Sequence, residues 1–325
     1  MKPRLGFLGV GWIGRHRMEC IAKTGTAEIA AICDPLAAEE ALKIAPQARA
    51  LPSYAALLEQ DLDAVVIATP SALHAEQSIS ALRRGLAVFC QKPLGRTGPE
   101  VRTVLEAARA ADRLLGVDLS YRHTEGMREL KKRIHAGELG EVYAVNLVFH
   151  NAYGPDKPWF YDPRLSGGGC LMDLGIHLAD LALWALDFPA VDSVSSRLLA
   201  GGKPLRRGEK CEDYCAAQLT LSNGAAVQLA CSWRLPAGQD CVIEASFYGS
   251  KAGASFRNVN GSFYDFEALL FRGTSRQALV RPPDAWGGRA AAAWAEQLAR
   301  SASFDAEACH LAATADALDR IFCGS

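Results

Sequence analysis

The chain has 325 residues, 50% of them hydrophobic and 22% charged, with 35 basic side chains set against 36 acidic ones. That length suggests about two domains, and the composition is that of a globular protein with buried cores, not of a disordered one. The near balance of charge offers no field to nucleic acid or to an anionic membrane surface, and no apolar run approaches the ~18 residues of a membrane span.

The opening stretch MKPRLGFLGVGWIG carries an apolar patch interrupted by glycines, so it reads as a first strand and not as an export signal. Strand-like runs follow at Arg4–Gly9, Glu28–Asp34, Ala64–Thr69, Ala87–Gln91 and Leu114–Leu119, separated by segments of helical period such as Ser71–Arg84 and Pro99–Ala111. Alternation of this kind predicts a doubly wound parallel sheet, an α/β domain over residues 1–120.

Within it, Gly9, Gly11 and Gly14 form G-x-G-x-x-G between a strand and a helix. The first glycine permits the turn, the second lets backbone approach a pyrophosphate, and the third lets helix pack on strand. The helix start at Trp12, Ile13 and Gly14 then offers N–H groups to phosphates. Asp34 ends the second strand, 20 residues after Gly14, where a carboxylate accepts ribose hydroxyls and repels a 2′-phosphate. The expected cofactor is therefore NAD, with NADP disfavoured. Thr69-Pro70 breaks the third strand in the crevice where such sheets bind ligands, and Ser71 reads either as a helix cap or as a cofactor contact. His74, three residues on, joins the expected cofactor region, with a structural role the stronger of its two readings.

The run GLAVFCQKPLG ends a buried strand on Lys92, and a buried ammonium must find a partner, neutralise or face a water-filled cleft. Pro93 disfavours helix at Lys92, which leaves the lysine at an extended strand end.

After Tyr121 the rhythm changes, and residues 121–325 read as a second domain. A helix over about Glu125–Ala136 leads into GEVYAVNLVFH, and a second helical segment covers about Cys170–Leu186. Strand-like runs follow at Tyr214–Leu221, Ala225–Trp233, Cys241–Tyr248 and Phe263–Phe271, and two alanine-rich helices finish the chain. The pattern predicts an α+β domain with a mostly antiparallel sheet, and the C-terminal helices have the option of packing back on the first domain. In SGGGCLMDLGIHLAD, three glycines precede a helix with Asp173, His177 and Asp180 at i, i+4 and i+7, hence on one face. Two readings stay open there: a core histidine paired to Asp173, or a catalytic stripe. The ten cysteines show no CxxC pair, so they read as reduced, buried thiols of a cytoplasmic protein, and no metal site is expected.

Taken together, the glycine fingerprint, ATPSALH, QKPL, YRHTEGMRELKKRIHAGELGEV and SGGGCLMDLGIHLAD resemble the glucose–fructose oxidoreductase, inositol dehydrogenase and rhizopine-catabolism family, Gfo/Idh/MocA. The resemblance implies a Rossmann domain plus a domain with an open-faced sheet, and substrate held between nicotinamide and that sheet. It further implies Lys92, Asp173 and His177 as the catalytic set. The residue types suit the chemistry: oxidising a carbinol requires a base for the hydroxyl proton, and an imidazole of ordinary pKa about 6.5 serves. Asp173 would orient His177, and Lys92 would hydrogen-bond the oxygen that gains charge. In the family that lysine usually follows a glutamate, and here the place holds Gln91, which with Lys92 is also expected in the cofactor site, the lysine beside the nicotinamide. If the side chain faces Lys92, a glutamine offers only dipoles, and the lysine is expected to titrate lower than beside a carboxylate.

Trp159, Tyr161 and Arg164, on the loop NAYGPDKPWFYDPRLSGGG, together with Tyr121 and Arg122, could line a pocket for a polyhydroxylated substrate or serve only as packing. The expected function is an NAD-dependent sugar or polyol (inositol-like) dehydrogenase, or the reverse ketoreductase. Alternatives are an enzyme that retains its cofactor or takes a dihydrodiol-like substrate, and a non-catalytic dinucleotide-sensing regulator. An exposed sheet face would need covering, so a homodimer or homotetramer is expected.

Overall fold

The computed structural model describes residues 1–206 and 208–324. The chain forms two compact units, one of Met1–Ser120 with Gly287–Leu311, the other of Tyr121–Trp286 with the chain from Ala312 onward.

In chain order the first unit contains β1 (Arg4–Leu8), α1 (Trp12–Thr24), β2 (Glu28–Cys33), α2 (Ala38–Leu42), β3 (Arg49–Ala50), α3 (Tyr54–Leu58), β4 (Ala64–Ile67), α4 (Ser71–Arg83), β5 (Ala87–Cys90), α5 (Gly98–Ala111) and β6 (Leu115–Val117). All neighbours in the sheet β3-β2-β1-β4-β5-β6 are parallel. β4 and β5 are buried along their whole length, which explains their unbroken apolar runs: helices cover both faces of a parallel sheet. The order reverses between β1 and β4, and at that switch point the strands' carboxyl ends leave a crevice. The short β3, α2 and α3, of two to five residues each, are too short to leave a period in the sequence.

The second unit starts with α6 (Glu125–His135), where the Thr124 hydroxyl caps the helix by accepting from Met127 N–H. Then come β7 (Val142–Asn151), α7 (Pro163–Ser166), a π-helical turn at Leu171–Gly175, α8 (Ile176–Ala185), β8 (Val191–Ala200), β9 (Lys203–Pro204), β10 (Tyr214–Leu221), β11 (Ala226–Ser232), β12 (Cys241–Gly249), β13 (Gly253–Asn258), β14 (Phe266–Arg272) and β15 (Ser275–Val280). They form one sheet, β15-β14-β13-β12-β7-β11-β10-β8-β9, antiparallel everywhere except at β7/β11. Strand β10 shows the period of two: Cys215, Ala217, Leu219 and Leu221 are buried while Gln218 and Thr220 are exposed. The buried side chains pack with α6 and α8 into one core. Strands β8, β13 and β15 had escaped the sequence reading, because they are short of apolar residues or begin at glycine.

Of the last two helices, α9 (Arg289–Arg300) belongs to the first unit, where Trp294 packs on Phe89 with ring centroids 5.5 Å apart. Most of α10 (His310–Cys323) belongs to the second. Among the described residues no helix is long and apolar enough to cross a membrane, and no cluster of three His, Cys, Asp or Glu side chains could hold a metal.

Candidate functional site

The glycine loop joins β1 to α1 with the three glycines in different surroundings. Gly9 has φ +81°, and a Cβ there would lie 2.6 Å from the Ala68 carbonyl oxygen. A Cβ on Gly14 would lie 2.3 Å from the Gly9 oxygen, so bare backbone is needed at both places. Gly11 differs: it is exposed, and a Cβ would meet no atom within 4 Å. The loop therefore closes on itself at its ends and opens outward in the middle, at the start of a 13-residue helix that no side chain caps. Those free N–H groups suit a phosphate. Trp12 is exposed and stacks on His16, and Ile13 is half-buried.

Asp34 proves to be a structural acceptor as well. Its Oδ2 accepts Val10 N–H at 2.7 Å and its Oδ1 accepts Leu36 and Ala37 N–H at 2.8 Å each, so one carboxylate shapes both the glycine loop and the β2–α2 turn. Accepting capacity remains on Oδ2 for a ribose hydroxyl.

At the end of β4 the expected cap is displaced by one residue. Pro70 takes the N-cap position, Ser71 becomes the first helical residue, and α4 has no side-chain cap. Thr69 donates its hydroxyl to Gln77 Oε1 at 2.6 Å. His74 is withdrawn as a cofactor contact: it is 1% exposed, with ring nitrogens 2.7 and 2.6 Å from the Pro93 and Thr69 carbonyl oxygens. Burial holds its pKa below the ordinary value, and the two carbonyls oppose that without reversing it.

Lys92 follows β5 and is half-buried. The sequence leaves open whether Gln91 faces Lys92, and the Gln91 amide donates to Asp118 Oδ2 at 2.6 Å.

In the second unit, the helical segment expected over Cys170–Leu186 begins as the π-turn. Its entry is held by Glu212, 1% exposed, whose Oε1 accepts Gly169 and Leu171 N–H at 2.8 and 2.9 Å. Gly169 touches the same residue so closely that a Cβ would lie 2.0 Å from the Glu212 carbonyl oxygen. From Gly168 to Leu183 every residue is buried except Asp173. Its Oδ2 accepts the Trp233 indole N–H at 3.1 Å. His177, one turn on, meets the edge of Tyr121 at 4.9 Å between centroids, and Tyr121 in turn stacks on Trp286. Tyr121 is thus a packing partner of His177, and burial pushes its hydroxyl far above the ordinary tyrosine range.

Asp180, the third polar residue of the stripe, is 2% exposed and paired with Arg122 through two guanidinium nitrogens, with Thr314 adding a hydrogen bond at 3.2 Å. Arg122, a substrate candidate in the sequence, is thus engaged in an ion pair within the second unit. Trp159 stacks on Phe160 at 3.8 Å, Arg164 pairs with Asp162, and exposed Tyr161 lies 5.6 Å from Trp233 and beneath the Arg234 guanidinium. Glu212 and Trp233 escaped the sequence reading, since neither lies in a recognisable motif. Lys92 belongs to the first unit, Asp173 and His177 to the second.

Two family models match the chain. The oxidoreductase family with NAD-binding Rossmann fold, GFO/IDH/MocA, covers residues 4–119, and the GFO/IDH/MocA C-terminal domain covers 127–255. The D-glucoside 3-dehydrogenase of Escherichia coli K12 is 31% identical over 212 residues, 62% of this chain and 60% of that protein. Levoglucosan dehydrogenase, solved with NADH and levoglucosan, superposes with TM-score 0.83 at 19% identity, over 100% of this chain and 97% of the other. KijD10, a 3-ketoreductase from Actinomadura kijaniata solved with NADP, gives TM-score 0.83 at 22% identity, over 100% and 98%. At these identities the structures share the fold.

Proposed function

The chain belongs to the Gfo/Idh/MocA family of NAD-binding oxidoreductases, and we propose that it transfers a hydride between NAD and a secondary hydroxyl or ketone of a sugar or polyol. The observation that carries this is the glycine loop, closed at Gly9 and Gly14 and open over Gly11 at an uncapped helix start. That cradle fits a pyrophosphate. Asp34 carries the preference for NAD over NADP, because its charge repels a 2′-phosphate.

When bound, NAD supplies the nicotinamide carbon that accepts or returns the hydride. His177 takes the hydroxyl proton, and Asp173 stabilises the imidazolium, held in orientation by the Trp233 N–H. The edge contact with Tyr121 restricts rotation of the His177 ring. Lys92 donates a hydrogen bond to the substrate oxygen that gains negative charge. Tyr161 and Trp159 offer aromatic faces to a sugar ring. We place the protein in the cytoplasm as a homodimer or homotetramer; its ten free cysteines suit a reducing compartment.

The test is steady-state NADH formation with a panel of inositols, aldoses and sugar phosphates, repeated on Lys92→Met and His177→Ala. Each variant is expected to bind NADH as the parent does while turnover falls by roughly 10²–10⁴, the scale of a positioned acid or base. Parent-like turnover in either variant would remove that residue from the catalytic set.

A further inference from the structure

Inside the first unit, a buried polar network spans the cofactor helix and the end of the lysine strand. Arg17 lies on α1, three residues after Gly14, and its Nε donates to Asp118 Oδ2 at 2.6 Å. The same oxygen accepts the Gln91 amide at 2.6 Å, and the Ser120 hydroxyl donates to Asp118 Oδ1. Arg17 also reaches Ser120 Oγ at 3.2 Å and His16 Nδ1 at 2.7 Å. The two charged side chains are 8% and 1% exposed. Backbone bonds seat the same place: Asp118 N–H donates to Cys90 O, and Gln91 N–H donates to Ile67 O, both at 2.9 Å.

A buried ion pair is a poor source of net stability, because desolvating both charges costs about as much as their attraction returns. What this one does supply is geometry. The Asp118 oxygen is shared between a side chain of the cofactor helix and the residue immediately before Lys92. We propose that Asp118, with Arg17 and Gln91, is a positioning device for hydride transfer, fixing the backbone that carries Lys92 relative to the helix whose start receives the cofactor. The proposal rests on the catalytic reading of Lys92 given above.

The test moves the charge without changing its amount. Gln91→Glu alone sets two carboxylates against one guanidinium, and Asp118→Asn alone leaves Arg17 without a carboxylate. The double variant restores one carboxylate, at position 91, accepting from the amide introduced at position 118. Each single variant is expected to lower kcat by roughly 10-fold to 100-fold, the cost of a misplaced group, with KM for NAD changed by less than about threefold. The double variant is expected to recover most of the loss. Gln91→Ala, which adds no charge, should lower kcat roughly tenfold with the same KM pattern.

Lys92→Met, assayed alongside, separates the two ideas. If it retains parent turnover, the catalytic reading fails and the positioning proposal falls with it. If it is inactive while folded Gln91→Ala keeps the parent kcat, positioning alone is overturned. A folded double variant no better than the worse single variant overturns it too.

Discussion

The Asp34 carboxylate accepts three backbone N–H groups before any ribose reaches it. Its replacement therefore has two separable consequences. Asp34→Ser removes the charge that repels a 2′-phosphate, and the ratio of kcat/KM for NADP to that for NAD is expected to rise roughly tenfold, a shift of about 1.4 kcal/mol. It also leaves Val10, Leu36 and Ala37 N–H groups to find other acceptors, at about 1–3 kcal/mol for any that stays buried and unpaired. Thermal unfolding of the apoprotein should thus move down in the same variant. An unchanged cofactor ratio with a lowered Tm would leave Asp34 as a loop clamp only. His74 differs at this scale: the structural role is the stronger of its two sequence readings, and it is buried with its ring nitrogens 2.7 and 2.6 Å from two carbonyl oxygens.

Between Gly168 and α8 the chain passes through a π-turn, with more residues per turn than an α-helix, and this is where Asp173 emerges from an otherwise buried segment. Gly175 accounts for the close approach on the inner side, since a Cβ there would lie 2.6 Å from Leu171 Cδ1 and 3.1 Å from Cys231 Sγ. Glu212 accounts for the entry, holding two N–H groups with one oxygen. Glu212→Gln keeps an amide oxygen able to accept both, whereas Glu212→Ala strands both. We expect the alanine variant to lose about 1–3 kcal/mol for each orphaned donor and to lose turnover as well, with the glutamine variant much closer to the parent. Urea midpoints and turnover measured together check this, and equal loss in the two variants would refute the clamp. A π-turn leaves no mark in hydrophobic period, so the segment read as an uninterrupted helix.

Across the whole molecule, three histidines in both units have pKa values lowered chiefly by burial: His16, His74 and His150. A histidine whose pKa is lowered by the fold takes up a proton less readily there than in the unfolded chain. Above the unfolded value of about 6.5 both states are neutral and nothing is lost. As pH falls through that value the unfolded chain takes up protons that the fold refuses, so stability declines from there down toward the folded values. Tm is expected to be level between about pH 7 and 8 and to fall below about pH 6.5, with a shallower fall in His74→Gln. A Tm that is flat down to about pH 5 would show these imidazoles to be ionisable in place.

Local pattern determined much of this protein. The glycine spacing, the carboxylate after the second strand and the switch from strand–helix alternation to a run of strands each depend on residues a few places apart, and each is present in the fold. Periods of two and 3.6 report which face is buried, and they do so wherever a strand or helix is half covered. What tertiary structure alone decided is which polar side chains meet. Gln91 finds Asp118 27 residues away, Arg122 finds Asp180 58 away, and Arg17 finds Asp118 101 away. Nothing in the local sequence of any of them names its partner. A buried charge or amide takes whichever complementary group the packed chain brings within hydrogen-bond reach, because leaving it unpaired costs more than any local preference supplies.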